Sequence, residues 1–304
     1  MKKQLTRIEK QERRSVFGIM ATVLISVYAF SLIFPLVWAM YSSFIGRLDF
    51  KANPVFGWPE VQGFQPKNFI SAFEELHVNI RTKEGGTRPA YFFEMIFNSL
   101  VWSVGSAIVA ELSRCICAYV VSKFQKRHQW LSFVHSLVII LLIVSFPSNL
   151  ASAINYNKMM GMYDNMWLRV IGSITFTGTH FLYFYAAFKN LSWEYAEAAY
   201  MDGASHFTVM WKVMMPLVKT TFFALVLLDF IAAWNDYSTS MVYMPSYPTV
   251  AYGLFRMQSL GGKFGSSVPL RLASCTVVIL PTLIVFIVFK DKLMGNLSLG
   301  GLKG

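Results

Sequence analysis

Residues 15–46 read SVFGIMATVLISVYAFSLIFPLVWAMYSSFIG, an unbroken run without a charged side chain. A helix crosses the apolar slab of a bilayer in about 20 residues, because nothing there can hydrogen-bond an open backbone. This run is long enough to do so, and the rest of the chain agrees with it. Of the 304 residues 55% are hydrophobic and only 14% charged, against about 25% charged in a soluble domain. Too little polar surface is available to cover a water-soluble globule of this size. Three cysteines, with Cys115 and Cys117 inside an apolar run, exclude a disulfide framework. The class is an all-α polytopic membrane protein.

Five further apolar stretches follow. Gln129–Asn157, Val170–Phe188 and Leu272–Phe289 carry no charge; Met95–Val121 contains Glu111 and Arg114, and Thr220–Ser240 contains Asp229 and Asp236. Six transmembrane helices are therefore expected. Basic residues from Lys2 to Arg14 precede the first run, but that run is too long for a secretory signal core and no small-residue cleavage site follows, so it reads as a retained helix. Lys and Arg set the orientation. With the N-terminus inside, 15 of the 27 fall in the inner segments and 9 in the longer outer loops. The expected plan is a cytoplasmic N-terminal segment (1–15), a first transmembrane helix (16–46) and an outer loop (47–92). A transmembrane core (93–290) and a cytoplasmic tail (291–304) complete it, with both termini in the cytoplasm. The net charge of +11 then matches anionic inner-leaflet lipid and requires no nucleic-acid partner.

The inner loop 190–219 is the most informative interruption. Ser192 reads as an N-cap, and Glu194 places negative charge in the first turn, where the helix dipole favours it. The helix through Glu197-Ala198-Ala199 should stop at Asp202-Gly203, since Gly takes a left-handed C′ position without penalty. Ser205 can cap a second helix ending near Pro216. Two adjacent exposed alanines on this helix–turn–helix elbow would let another backbone approach closely. Outside, 47–92 carries a short candidate helix from Pro66 to His77 between Gly57-Trp58-Pro59 and Gly85-Gly86, and 241–269 is rich in Tyr, Gly and Pro.

The string Glu197-Ala198-Ala199, Asp202-Gly203-Ala204 and Pro216 resembles the EAA loop of bacterial ABC-importer permeases. Trp234-Asn235-Asp236, the outer stretch Tyr247-Pro248-Thr249-Val250-Ala251-Tyr252-Gly253-Leu254, Phe146-Pro147 and the closing Gly300-Gly301-Leu302-Lys303-Gly304 are similar to the carbohydrate-type branch, best represented by the maltose permease. The resemblance covers about Asn98 to Gly304. It implies the type I ABC importer permease fold and a bacterial inner-membrane location. It also implies a partnership with a second homologous permease, two cytoplasmic ABC ATPase subunits and an extracytoplasmic solute-binding protein that delivers a sugar or oligosaccharide. Polyols and glycerol phosphates are the alternative solutes. No Gly-x-x-x-x-Gly-Lys-Ser/Thr loop is present, so no cofactor is expected on this chain, and ATP and Mg would belong to the partner ATPase. Glu197, Ala198, Ala199, Asp202, Gly203, Ala204 and Pro216 would dock in that ATPase. Tyr247, Thr249, Tyr252, Gly253 and Arg256 would meet the binding protein.

Glu111, Arg114 and Asp229 stand where the resemblance calls for neutral residues. At about 1.5 Å per residue they lie roughly 12–16 Å from the inner boundary. An unpaired charge at such a depth costs about 2.5–3.5 kcal/mol even on the lenient insertion scale. Arg114 pairing with Asp229 or Glu111 relieves it; a polar site on the solute path is the alternative. Trp234, Asn235, Asp236 and Tyr237 combine aromatic rings with hydrogen-bonding groups, which suits a sugar pathway or an interfacial aromatic belt. The five histidines show no metal-ligand spacing, and no catalytic nucleophile–base pair is legible. A rival reading, a membrane enzyme using Glu111 and Asp229 as acid and base, predicts activity by the isolated chain without ATP.

Overall fold

The computed structural model describes residues 16–82, 85–125, 127–143, 149–259 and 267–297. The N-terminal segment 1–15, the Phe146-Pro147 pair, Lys263 and the closing Gly300–Gly304 string lie outside them. The chain forms two compact units, residues 1–75 with 257–277 and residues 76–256 with 278–304.

The first unit holds α1 (Val16–Ser43), α2 (Arg47–Ala52), α3 (Lys67–Glu75) and the start of α14 (Val268–Leu297). Helix α1 is apolar on all sides, and among its described residues only Ser42 and Ser43 at its C-terminal end are buried. Just after it the chain turns on two polar anchors. Buried Asp49 accepts the backbone N–H groups of Val61 and Gln62, each at 2.8 Å, and Asn68 donates to the carbonyls of Ser43 (2.9 Å) and Ile45 (3.0 Å). The candidate helix at 66–77 is realised as α3, whose Ala72 packs with Phe69, Leu270 and Ala273.

The second unit begins with a two-stranded antiparallel hairpin, β1 (Val78–Arg81) with β2 (Thr87–Ala90), in the register Val78↔Ala90 to Arg81↔Thr87. The expectation of an all-α chain misses it. Gly85-Gly86 supplies its turn, with Gly85 at φ +85° and Thr82 N–H bonded to the Gly86 carbonyl at 2.9 Å. Helix α4 (Phe92–Phe124) follows and organises the unit. Its buried face carries Ser99, Ser103, Ser106, Ala107 and Ala110 at helical spacing. Small residues let backbones come close without leaving polar atoms stranded, and the serine hydroxyls donate back to their own helix, Ser103 to Ser99 and Ser106 to Trp102. Along this face lie α7 (Met166–Ile171), α8 (Thr179–Asn190) and α11 (Lys219–Asn235).

Three helices among the described residues are long and apolar enough to cross a bilayer: Phe17–Ser43, Phe92–Phe124 and Val268–Val285. A fourth results if α10 (His206–Leu217) and α11, bent by 75° at Val218, count as one. Two expected spans take other forms. Residues 129–157 fall in α5 (Gln129–Ile143) and most of α6 (Leu150–Met159), either side of five residues outside the described set. Val170–Phe188 is not one helix: α7 stops at Gly172, and α8 starts only after Gly178, whose φ of +113° no L side chain takes easily. Charge counting cannot see such a break, because glycine is as uncharged as leucine.

A Cβ on Gly105 of α4 would sit 2.9 Å from Val170 Cγ1. Val is stiff at χ1, so α7 cannot yield by side-chain rotation. Gly105→Ile should therefore destabilise by about 1–3 kcal/mol through overpacking, read as a lowered unfolding midpoint in detergent. Leu24→Ala, at an exposed side chain of α1, serves as the control for handling.

Candidate functional site: a capped elbow, a charge cluster and an anchored loop

The elbow forms as its sequence dictates. Helix α9 (Glu194–Met201) ends in Asp202, then Gly203 at φ +81°. Gly203 N–H bonds the Tyr200 carbonyl (2.9 Å) and Ala204 N–H bonds Ala199 (3.0 Å), the paired bonds of a Schellman stop. Ser205 caps α10 by accepting from Thr208 N–H. One detail is corrected at the other end. Trp193, not Ser192, is the N-cap residue, and the Ser192 hydroxyl accepts from Glu194 N–H one step outside it. Within α10, Val209–Met214 is π-helical, with Met215 N–H reaching back to Met210. Pro216 follows, which has no N–H to give; the wide turn and the proline together account for the sharp bend into α11.

Ala196, Val209, Met214 and Val218 bury one side of the elbow with Cys115 and Tyr119 of α4 and Phe181, Phe184 and Phe188 of α8. The other side is open: Glu197, Ala198, Asp202 and Gly203 are exposed, and so are Tyr195, Met201 (89%) and Phe207. Ala199 and Ala204 are half-buried against the core, so the outer surface carries one alanine rather than two. The last turn of α4 grips the elbow. Lys123 donates to the Leu191 carbonyl at 2.8 Å, Phe124 meets the rings of Trp193 (6.0 Å) and His206 (6.1 Å), and Tyr200 OH lies 2.7 Å from His206 Nδ1.

About 15 Å up α4, ten residues at helical rise, Arg114 bonds both Glu111 of its own helix and Asp229 of α11, the latter at 2.7 Å. Its Nε also donates to the Thr177 carbonyl (3.3 Å), beside the Gly178 break. Both alternatives for pairing are thus realised together. His180 completes the cluster, with Nδ1 2.8 Å from Glu111 and 3.6 Å from Asp229. The sequence reading missed it, although an imidazole inside an otherwise uncharged run is itself a signal. Glu111, His180 and Asp229 bring ligand atoms within 4.8 Å of one another, as a cation site would. The guanidinium lies between the two carboxylates, so the positive charge they need comes from the chain. Arg114 engages one oxygen of each carboxylate, and Glu111 Oε2 has no partner among the described residues.

The remaining candidates separate. Trp234 is 2% exposed, packs with Ala107, Leu227 and Phe230, and donates its indole N–H to the Val278 carbonyl. It is a core residue with no ring face for a sugar. Asn235 bonds back to Ile231, Tyr237 stacks on Phe255 with centroids 4.2 Å apart, and Asp236 caps α12 (Ser238–Tyr243) through Ser238 and Thr239 while lining a cavity beside Arg114 and Asp229. In the loop 241–269 Thr249 (2% exposed) and Gly253 are buried, and Tyr247 packs against the Trp102 cluster. They pin the loop to α4: Asn98 donates to Pro248 and Val250 N–H donates to Ser99 Oγ. A Cβ on Gly253 would meet Met95 Sδ at 2.8 Å. Tyr252 and Arg256 stay half-exposed on α13 (Val250–Ser259).

The family described as the binding-protein-dependent transport system inner membrane component matches residues 13–294. The chain belongs to that family. Relatives place this permease in the carbohydrate-type branch. It is 22% identical over 276 residues to the sulfoquinovosyl glycerol transport system permease protein SmoH of Agrobacterium fabrum, covering 90% of this chain and 89% of that one. The multiple sugar-binding transport system permease protein MsmG of Streptococcus mutans is 24% identical, over 97% of this chain and all of its own. Among solved structures, a bacterial ABC transporter involved in the import of the acidic polysaccharide alginate superposes with a TM-score of 0.72 at 20% identity, covering 92% of this permease and 97% of that chain. The shared fold is that of a multi-pass membrane permease.

Removing one partner of a buried ion cluster strands the others, at a cost of about 3–5 kcal/mol, whereas replacing all of them together is close to neutral. Arg114→Met should therefore lower the unfolding midpoint of the permease sharply, and adding Glu111→Gln with Asp229→Asn should recover most of the loss. A triple variant no better than Arg114→Met alone would show that the three charges do not depend on one another.

Proposed function

We propose that this permease forms half of the pathway of an ATP-driven importer of sugars or oligosaccharides. It would take solute from an extracytoplasmic binding protein and pair with a second homologous permease. Two copies of a separate ATPase, which hold the ATP and Mg, would drive it through the elbow 190–219. Family membership and the sugar and oligosaccharide permeases among its relatives support the solute class and the binding protein. The observation that carries the ATPase coupling is the elbow itself. A glycine-stopped helix leaves Glu197, Ala198 and Asp202 uncovered on one side, while its other side is bolted to the end of α4. Small and polar groups suit close approach by a partner backbone, and the buried side gives that partner something rigid to push.

In this reading six spans cross the inner membrane with both termini in the cytoplasm: α1, α4, α5 with α6, the broken pair α7 and α8, the bent pair α10 and α11, and α14. Lys and Arg bias supports the orientation. The ATPase would act as a ligand that favours one of two arrangements of the bundle, by its differing fit to the elbow in each nucleotide state. Tyr252 and Arg256 are the outer-loop groups left to touch the binding protein.

Ala198→Trp fills the exposed approach without touching the buried side. It should leave the permease in the membrane at normal abundance and abolish ATP-dependent uptake, and Gly203→Pro should do the same by removing the bend. Full uptake in vesicles carrying Ala198→Trp would contradict docking at this surface.

A further inference from the structure

The chain that leaves α1 doubles back onto it. After Ser43 it passes through α2, and residues 53–58 then run along the helix they have just left. Trp38 donates its indole N–H to the carbonyls of Val55 (2.7 Å) and Pro54 (3.2 Å), and Tyr41 OH donates to the Gly57 carbonyl (2.9 Å). The Phe56 ring lies against Tyr41 (5.5 Å between centroids) and Phe34 (5.6 Å). Phe34, Trp38 and Tyr41 fall at i, i+4 and i+7, one stripe of α1, and the returning segment lies on that stripe.

Depth follows from the length of α1. Its 28 residues extend about 42 Å, and the apolar slab of a bilayer is about 30 Å thick. A centred helix projects about 6 Å, or about four residues, at each end, which puts the slab boundary beside Met40. Tyr41 then stands at the boundary, Trp38 just beneath it and Phe34 about 8 Å inside. Phe56, which touches both Tyr41 and Phe34, is level with the top of the slab.

The segment is built for that depth. An open carbonyl is costly there, and those of Pro54, Val55 and Gly57 are taken up by Trp38 and Tyr41, the two ring types that favour an interface. Pro54 has no N–H to satisfy. The side chains left open are apolar: Val55 is 60% exposed, Phe56 46% and Trp58 71%. Charge stands close by on α2, where Arg47 and Lys51 are exposed at i and i+4 against a single exposed acid in residues 44–64, Glu60. Asp49 between them is turned inward, accepting from Val61 and Gln62.

We propose that residues 53–58 form an interfacial foot whose partner is the phospholipid surface. The foot seats Val55, Phe56 and Trp58 among the uppermost acyl-chain carbons of the leaflet at the C-terminal end of α1, and Arg47 and Lys51 meet the lipid phosphates. It fixes the depth of a helix of which the protein itself buries only Ser42 and Ser43. Trp38 is its positioning residue. The inference requires α1 to cross the bilayer and is independent of the importer reading.

The test uses the full-length permease in phosphatidylcholine–phosphatidylglycerol vesicles, with Cys115, Cys117 and Cys275 replaced by Ala. A nitrobenzoxadiazole label is placed on Val55→Cys or, as a mid-span reference, on Val27→Cys. Aqueous iodide and lipids carrying a nitroxide near the top or near the end of the acyl chain serve as quenchers. A group at the headgroup–acyl boundary should be quenched about twofold more by the upper nitroxide than by the lower one, and iodide should hardly reach it. The Val27 label should show the reverse order of nitroxides. Trp38→Phe keeps the ring but frees two carbonyls, so it should lift the segment and open the Val55 label to iodide. Iodide quenching of the Val55 label as strong as that of free label would overturn the foot. Quenching by none of the three would also overturn it, since protein rather than lipid would then cover the segment. A Val27 label open to iodide would overturn the foot by removing the span on which it stands. Quenching unchanged by Trp38→Phe would contradict the role given to Trp38.

Discussion

An arginine inside the apolar slab has to be neutralised where it stands, and that constraint shapes the second unit. Glu111 and Asp229 meet Arg114 where it stands. Bringing Asp229 close fixes the rotation of α11 against α4; bringing the Thr177 carbonyl close fixes the end of the Gly172–Gly178 interruption. The small residues of α4 allow the backbone distance this requires. One ion cluster thus joins three elements that apolar contact alone would leave free to slide, since lipid tails compete with side chains for every apolar face.

The same helix connects that cluster to the elbow. From Arg114 to Phe124 α4 is unbroken, and its last turn holds the elbow through Lys123 and Phe124. The elbow's second arm continues through the π-turn and Pro216 into α11, which carries Asp229. A push on the elbow therefore reaches the charge cluster by two routes, along α4 and along α11. Rigid helices and a bistable packed interface are the elements by which small shifts at one site become a rearrangement at another. In the proposed reading, a partner ATPase would drive the bundle on these terms.

Much of this was legible in the sequence. The uncharged run at 15–46 announced the class, the Gly203 stop and the Ser205 cap announced the elbow, and the cost of lone charges announced a partner for Arg114. Some of the illegible parts depend on which side of a helix a residue faces once packed. Trp234 and Thr249 look like surface groups by type, yet one is sealed behind Leu227 and Phe230 and the other under the outer loop. The break at Gly172–Gly178 hides inside an uncharged run because hydropathy does not register backbone conformation. His180 was visible as a residue, but only the fold brings it within reach of Glu111. The hairpin at 78–90 is too short and too mixed in pattern to stand out from a loop.

The account stands on the elbow facing the compartment where ATP is made available and on its continuity with α4. Asp202→Cys, exposed at the tip of the elbow, can be challenged with a membrane-impermeant maleimide in right-side-out and in inside-out vesicles. Labelling in the inside-out preparation alone is the predicted result. Labelling confined to right-side-out vesicles would place the elbow on the outer surface and contradict the account at its root.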